Sequence, residues 1–192
     1  MISIILSHIN SNIESLNMFR LVHSLCELQT KDKQTFPCEY LSNGEFKQLS
    51  LDNVQTEIYH RHDGPVTRDN KIKNIVACDN LVTKSYPMAL IGFMNRKVEG
   101  KDNAFIPDNV CEVVSNAIDE KTAKALTTLL GAQTCSVNVK SYSVDTDSIF
   151  SREFKGSERD KLNLNYFMFE IKYEVMVVAS ESCFQNWCEI DC

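Results

Sequence analysis

Apolar positions along the chain follow two periods. From Ile9 to Leu28, the residues Ile9, Ile13, Leu16, Phe19, His23 and Cys26 recur at steps of three and four, and Leu21, Leu25 and Leu28 widen the stripe. This spacing predicts an amphipathic opening helix, ended by the polar run Thr30 to Gln34. A second helix is predicted over Val110 to Ile118, where Val110, Val113, Val114, Ala117 and Ile118 share one side. Pro107-Asp108 suits its first turn, because proline's missing N–H costs little there and a carboxylate meets the positive end of the helix dipole. Thr122 to Leu130 continues or restarts the helix, with Gly131 placed to close it.

Elsewhere the pattern is that of strands. Phe36 to Leu41, Glu45 to Leu51 and Thr56 to His60 are short extended pieces separated by Asn43-Gly44 and Asp52-Asn53. Asn-Gly supplies the positive φ angles of a tight hairpin turn, so an antiparallel meander is expected. Asp63-Gly64-Pro65 breaks the chain and predicts an exposed loop to about Asn70. Lys73 to Leu81 and Met88 to Asn95 read as two central strands, with Pro87 at a strand start or an edge because it cannot donate to a ladder. Thr134 to Val144 alternates through Cys135, Val137 and Val139, with Tyr142 as the next candidate on that face, as a strand with one wet face does. Ser151 to Asn163 is polar and predicts an extended loop. The clearest strand is Tyr166 to Val178: Phe167, Phe169, Ile171, Tyr173, Val175 and Val177 point one way, Met168, Glu170, Lys172 and Glu174 the other. It exceeds the usual ~5–6 residues, so it is expected to bend or to change neighbours between its ends.

Together these elements predict an α+β fold, a small, mostly antiparallel sheet with an N-terminal helix and a helix pair packed on it. Residues 1–180 form one domain in this reading, followed by a cysteine-containing extension, 181–192.

Composition narrows the function classes. Hydrophobic residues are 43% and charged residues 24% of the 192-residue chain, which is the balance of a folded core and not of a disordered segment. A net charge of -6 disfavours a surface devoted to gripping nucleic acid, although DNA can pass through an acidic channel without being held. The densest basic run, Thr67 to Lys73, is short, contains Asp69 and reads as a solvated loop. No stretch reaches the ~20 apolar residues that span a bilayer. Met1-Ile-Ser-Ile-Ile-Leu-Ser lacks a basic n-region and a small-residue cleavage site, so no signal peptide is expected. Eight cysteines at irregular spacing in apolar runs point to free thiols in a reducing compartment, not to a disulfide framework.

Candidate chemistry is sparse. In Tyr59-His60-Arg61-His62-Asp63, two imidazoles at alternate positions would share one face of a strand and can hold a metal or work as acid and base. No further ligand lies nearby in sequence, and a polar strand end before a turn explains the same letters. Cys183, Cys188 and Cys192 around Trp187 offer three thiolates, but their intervals do not match close zinc knuckles. No nucleophile elbow, cysteine-protease signature or Gly-rich phosphate loop is present in the sequence. On this basis no catalytic, cofactor-binding or metal-binding residue is assigned, and an assembly role is favoured over a small metal- or thiol-dependent enzyme or a cytosolic protein-binding module.

The stretches Thr35-Phe36-Pro37-Cys38-Glu39-Tyr40, Ile58-Tyr59-His60-Arg61-His62-Asp63-Gly64 and Val76-Ala77-Cys78-Asp79 followed by Tyr86-Pro87, in this order of elements, resemble the tail-terminator and neck-ring proteins of tailed bacteriophages, especially those of crAss-like phages. The resemblance implies a virion protein that forms a homo-oligomeric ring between portal or adaptor and tail, around the DNA channel and without sequence-specific DNA binding. Under it, His62, Asp63, Arg68 and Arg152 on loops and Trp187 in the tail are the expected subunit contacts. The terminal cysteines have no counterpart in that pattern.

Overall fold

The computed structural model describes residues 1–40, 45–49, 56–73, 80–95, 106–118, 126–128, 130, 132, 134–156 and 166–180, with 70–73, 80 and 95 described by backbone alone. Its elements in order are α1 (Ile2–Glu14), β1 (Leu21–Lys31), β2 (Gln34–Tyr40), β3 (Phe46–Gln48), β4 (Glu57–His62), β5 (Thr67–Lys73), β6 (Asn80–Asn95), α2 (Pro107–Ile118), β7 (Thr134–Ser143), α3 (Thr146–Glu153) and β8 (Tyr166–Ser180). Residues 126–128 and 130 are also helical. The expected turns at Asn43-Gly44 and Asp52-Asn53, the stretch Val76-Ala77-Cys78, Gly131 and the extension 181–192 with Trp187 lie outside the described residues.

The molecule is a mixed α and β structure built on an eight-stranded sheet, with strand order β3-β2-β1-β4-β6-β8-β7 and β5 paired to β6. Every described pairing is antiparallel except β1 with β4, which is parallel and shifts register between Val22 and Leu25. One sheet face is covered by α1 and α2: Ile5, Leu6, Ile9 and Ile13 of the first and Val110, Cys111, Val114 and Ile118 of the second pack on Ile58, Met88, Leu90, Phe169, Ile171 and Val175. The opposite face carries a smaller cluster, in which Ile149, Phe150 and Phe154 cover Tyr59, Ala89, Ile91, Phe93 and Met168.

The opening helix is shorter and earlier than its spacing predicts. It spans Ile2–Glu14 and Leu21–Lys31 is a strand. Asn17 stands between them at φ 52, a left-handed conformation that asparagine tolerates and that stops a helix. The register shift in β1 removes the simple alternation that would have marked it as a strand, so its buried residues His23 and Cys26 fall three apart and mimic a helical stripe. Asp32 and Lys33, at φ 50 and 68, then form the two-residue turn into β2, joining Lys31 to its partner Gln34.

Three further expectations are corrected. Thr67 to Lys73 is not a loop but β5, which runs in line with β4 along the same side of β6. Its polar, mixed-charge sequence suits an exposed edge strand. Second, β6 is a single strand that passes straight through Pro87, which pairs with Glu174 in the middle of the sheet. The carbonyl of Pro87 accepts from the Asp63 N–H at 2.9 Å. In an antiparallel ladder a residue's N–H and C=O point to the same neighbour, so proline's missing donor faces the turn between β4 and β5, where no ladder bond is lost. Third, Ser151 to Glu153 is not loop but the end of α3. Asp145 caps that helix by accepting from Ser148 N at 3.1 Å.

β8 has the alternation expected of it, and the expectation that it changes neighbours is replaced by a simpler arrangement. β6 pairs with it from Tyr166 to Ser180, while β7 flanks Glu170 to Val178 on its other side.

Candidate functional site

Polar side chains inside the sheet gather into three constellations. At the first, β1 presents His23 between Glu39 of β2 and Glu57 of β4, with Nδ1 2.9 Å from Glu39 and Nε2 3.3 Å from Glu57. Glu39 also accepts from the Ser24 N–H at 2.9 Å. Burial works against a charged imidazole, but the hydrogen bonds and charges of both carboxylates outweigh it and raise the His23 pKa to about 9. Glu39 is held below the ordinary carboxylate range, chiefly by its hydrogen bond to His23, against the opposing effect of burial. The group is therefore a buried imidazolium clamped by two carboxylates across three strands.

The second is neutral. His60 is fully buried beneath α1, its Nε2 donating to Asn10 Oδ1 at 2.7 Å, while the Tyr173 hydroxyl donates to its Nδ1 at 2.7 Å. Both ring nitrogens are thus used by uncharged partners, and burial pushes the pKa down to about 3.

The third attaches α3 to the sheet. Glu153, fully buried, accepts from the Tyr59 hydroxyl at 2.9 Å and pairs with Arg152 at 2.7 Å and Arg61 at 3.3 Å. Arg152 continues to Glu170 of β8 at 2.8 Å, and Arg61 approaches the same carboxylate at 3.7 Å. Two guanidinium groups and two carboxylates thus close a network of no net charge, with the Tyr59 phenol kept protonated by burial and by Glu153.

The expected site residues are dispersed through this frame. His60 and His62 do share a strand face by alternation, but His60 is enclosed and already bonded at both nitrogens, while His62 is exposed at the end of β4. Asp63 follows in the turn and pairs with Lys172 at 3.0 Å. Arg68 lies exposed on β5, opposite Lys84 of β6. Arg152 is engaged with Glu153 and Glu170, so its first role is holding α3. His62, Asp63 and Arg68 fall near one another along the β4–β5 turn, and Arg152 belongs to the α3 network. Among the described residues, no group of three His, Cys, Asp or Glu is arranged to hold a metal ion. Cys26, Cys111 and Cys135 are buried thiols, with burial pushing the pKa of Cys111 up to about 12 and of Cys135 to about 11. Such thiols are poor nucleophiles.

Sequence reasoning missed the His23–Glu39–Glu57 group entirely, because its members come from three strands and share no spacing. What the surface does offer is strand edges. Among the described residues, β5 pairs only with β6 and β7 only with β8, so each has an outer side with no strand partner. Val66 ahead of β5 and Tyr142 in β7 are both 47% exposed. On the β2–β3 hairpin, Tyr40 and Phe46 stack edge to face in solvent, with centroids 5.2 Å apart. A shallow open groove of about 480 Å³ also runs along α1, lined by Ser3, Ile4, Ser7, His8 and Ser11. No helix among the described residues is long and apolar enough to cross a membrane. Set against known proteins, the chain matches no family model and no curated protein.

Proposed function

We propose that this chain is a structural subunit, repeated head to tail as a homo-oligomeric ring in the head–tail connector or tail of a tailed bacteriophage, where it joins portal or adaptor to tail around the DNA channel. The observation that carries this reading is that, among the described residues, β5 and β7 lie on opposite sides of the β6–β8 pair and each has an outer side without a strand partner, as the terminal strand β3 also has. A closed ring of identical chains needs two different patches per subunit that meet across each interface. The edges differ in kind: β5 is a short polar strand beside the exposed Val66, and β7 is longer and carries Asn138, Lys140 and Tyr142 in solvent. His62, Asp63 and Arg68 stand along the first of these edges, as contact residues of a ring would.

Two further features support the proposal. All three buried polar constellations tie one element to another, which is what a load-transmitting scaffold requires. The net charge of -6 suits a channel wall that lets DNA slide. In this reading the sheet with α1 and α2 on one face follows the tail-terminator plan, and the helical residues 126–128 and 130 complete a helix pair with α2. Size-exclusion chromatography with light scattering, followed by negative-stain electron microscopy, tests it: closed rings are expected, and a chain that stays monomeric at its highest soluble concentration would overturn it.

A further inference from the structure

We propose that the His23–Glu39–Glu57 group is a proton-operated latch on the seam between β1 and β4, so that loss of one proton frees the β1–β2–β3 wing from the main sheet.

The seam is the weak line of the sheet on geometric grounds. It is the single parallel pairing described, its ladder covers only Leu21 with Glu57, Val22 with Ile58 and Leu25 with His60, and it shifts register between Val22 and Leu25. Among the described residues, β2 and β3 join the main sheet by strand pairing only through β1. His23 sits inside the register shift, where regular ladder bonds are interrupted, and its ring bridges the wing to β4. The latch has two unequal halves: Nδ1 to Glu39 at 2.9 Å stays within the wing, whereas Nε2 to Glu57 at 3.3 Å crosses the seam. A neutral imidazole has one N–H and one lone pair. When one proton leaves, the remaining N–H stays on the shorter bond to Glu39, and the Nε2 lone pair then faces the Glu57 carboxylate. The cross-seam contact changes from attraction to repulsion, while the wing keeps its internal bond.

Among the described residues, Glu39 and Glu57 are the charges that act on the ring. From α1, the Asn10 side-chain amide, which is uncharged, donates to the His23 backbone carbonyl at 3.3 Å. β2 supplies Glu39 and β4 supplies Glu57. Lys47 of β3 acts on Glu39, and the neighbouring Cys26 thiol is kept neutral by burial and by Glu39. Glu153 of α3 acts on Cys26 and holds Tyr59 and the two arginines. The wing is not released altogether, since Phe36, Cys26 and Leu49 remain packed with Phe150 and Phe154, and Thr35 N–H donates to the Lys155 carbonyl at 2.7 Å. The motion is an opening of the seam about that anchor.

Because Glu39 stays bonded to the ring in the open seam, only the Glu57 share of the His23 shift is lost there, and the opening constant should rise between pH 6 and pH 10 by less than the roughly 300-fold that a full return from about 9 to 6.5 would give. Amide hydrogen exchange, divided by intrinsic rates and referenced to β8 of the same sample, reads this directly. Amides of β1 and β2 should lose protection with a midpoint near pH 9, while the β8 reference holds. Glu57→Gln, whose amide can donate to the Nε2 lone pair, should abolish that pH dependence and leave the fold intact. Histidine-selective NMR on the unmodified chain provides a readout independent of any variant: His23 must titrate near pH 9, and β1 amide signals must titrate with it. A His23 midpoint at or below 6.5, or wing and β8 protection falling in parallel in both proteins, would overturn the proposal.

Discussion

Gly92 in β6 stands opposite Phe169 in β8, and a Cβ at that glycine would come within 2.2 Å of the Phe169 ring. To make room the ring would have to move, and Phe19 and Phe167 lie against it with centroids 6.2 Å and 6.1 Å away. Gly92→Ala should therefore destabilise the fold by about 1–3 kcal/mol, the usual cost of overpacking, seen as a lower urea midpoint at unchanged slope. His60 makes a different prediction, because its pKa falls from 6.5 to about 3 on burial. The folded state then binds fewer protons than the unfolded one between these values, so stability is full above pH 6.5 and is lost as pH falls toward 3. His23 has the opposite sign: its folded pKa is raised, so its contribution is full below 6.5 and is lost as pH rises through 9. Stability should peak near pH 6.5, and His60→Gln should flatten the acid limb, which is worth on the order of a few kcal/mol. A midpoint-against-pH series on both proteins checks this, and an unchanged acid limb in the variant would show that His60 is not the group responsible. Neither behaviour was legible in the sequence. Alternation placed His60 and His62 on one face, but burial, which separates their chemistry, depends on Asn10 and Tyr173, remote residues brought in by the fold.

Among elements, those whose pattern depends on themselves alone were legible. β8 could be read from its own alternation, and α2 from its apolar side together with Pro107-Asp108. Elements shaped by neighbours were not. β1 carries a register shift set by its pairing with β4, so its apolar spacing imitated a helix. β6 crosses Pro87 because β4 and β5 meet there and leave a gap for the missing donor. The end of α3, Ser151 to Glu153, looked like polar loop because its attachment is ionic as much as apolar. That attachment gives a sharp contrast between adjacent residues. Glu153 is fully buried and neutralises Arg61, whose Nε is buried without a hydrogen-bond partner. Glu153→Ala should cost about 3–5 kcal/mol, because it removes the closer carboxylate from Arg61, leaving it only Glu170 at 3.7 Å, and takes the acceptor from the buried Tyr59 hydroxyl. Arg152, with 38% of its side chain exposed, should lose only about 1 kcal/mol on change to Ala. Chemical denaturation of the two variants side by side distinguishes a buried network from a surface one. Equal losses would mean that solvent reaches Glu153.

At the scale of the whole molecule, the sheet is closed by helices on its faces but open at its sides. Open edges normally invite uncontrolled association, and proteins blunt them with charge or shortness. β5 is blunted in this way by Arg68 and Asp69, yet the exposed Val66 precedes it and Tyr142 stands exposed on β7 at the far side. Polar edges flanked by single large apolar groups suit pairing that is selective, as a ring of fixed geometry demands. If neighbouring subunits meet along these edges, Val66→Asp and Tyr142→Asp should each convert the assembly to smaller species. Their unfolding free energies as isolated subunits should remain within the ~0.5 kcal/mol expected of surface substitutions. The double variant should be monomeric. Sedimentation velocity reads the change, with Glu14→Gln on α1, remote in sequence from both edges, as the control that keeps its size. Retention of full assembly by the double variant would place the interface elsewhere, with the exposed Tyr40 and Phe46 of the β2–β3 hairpin as the next surface to alter.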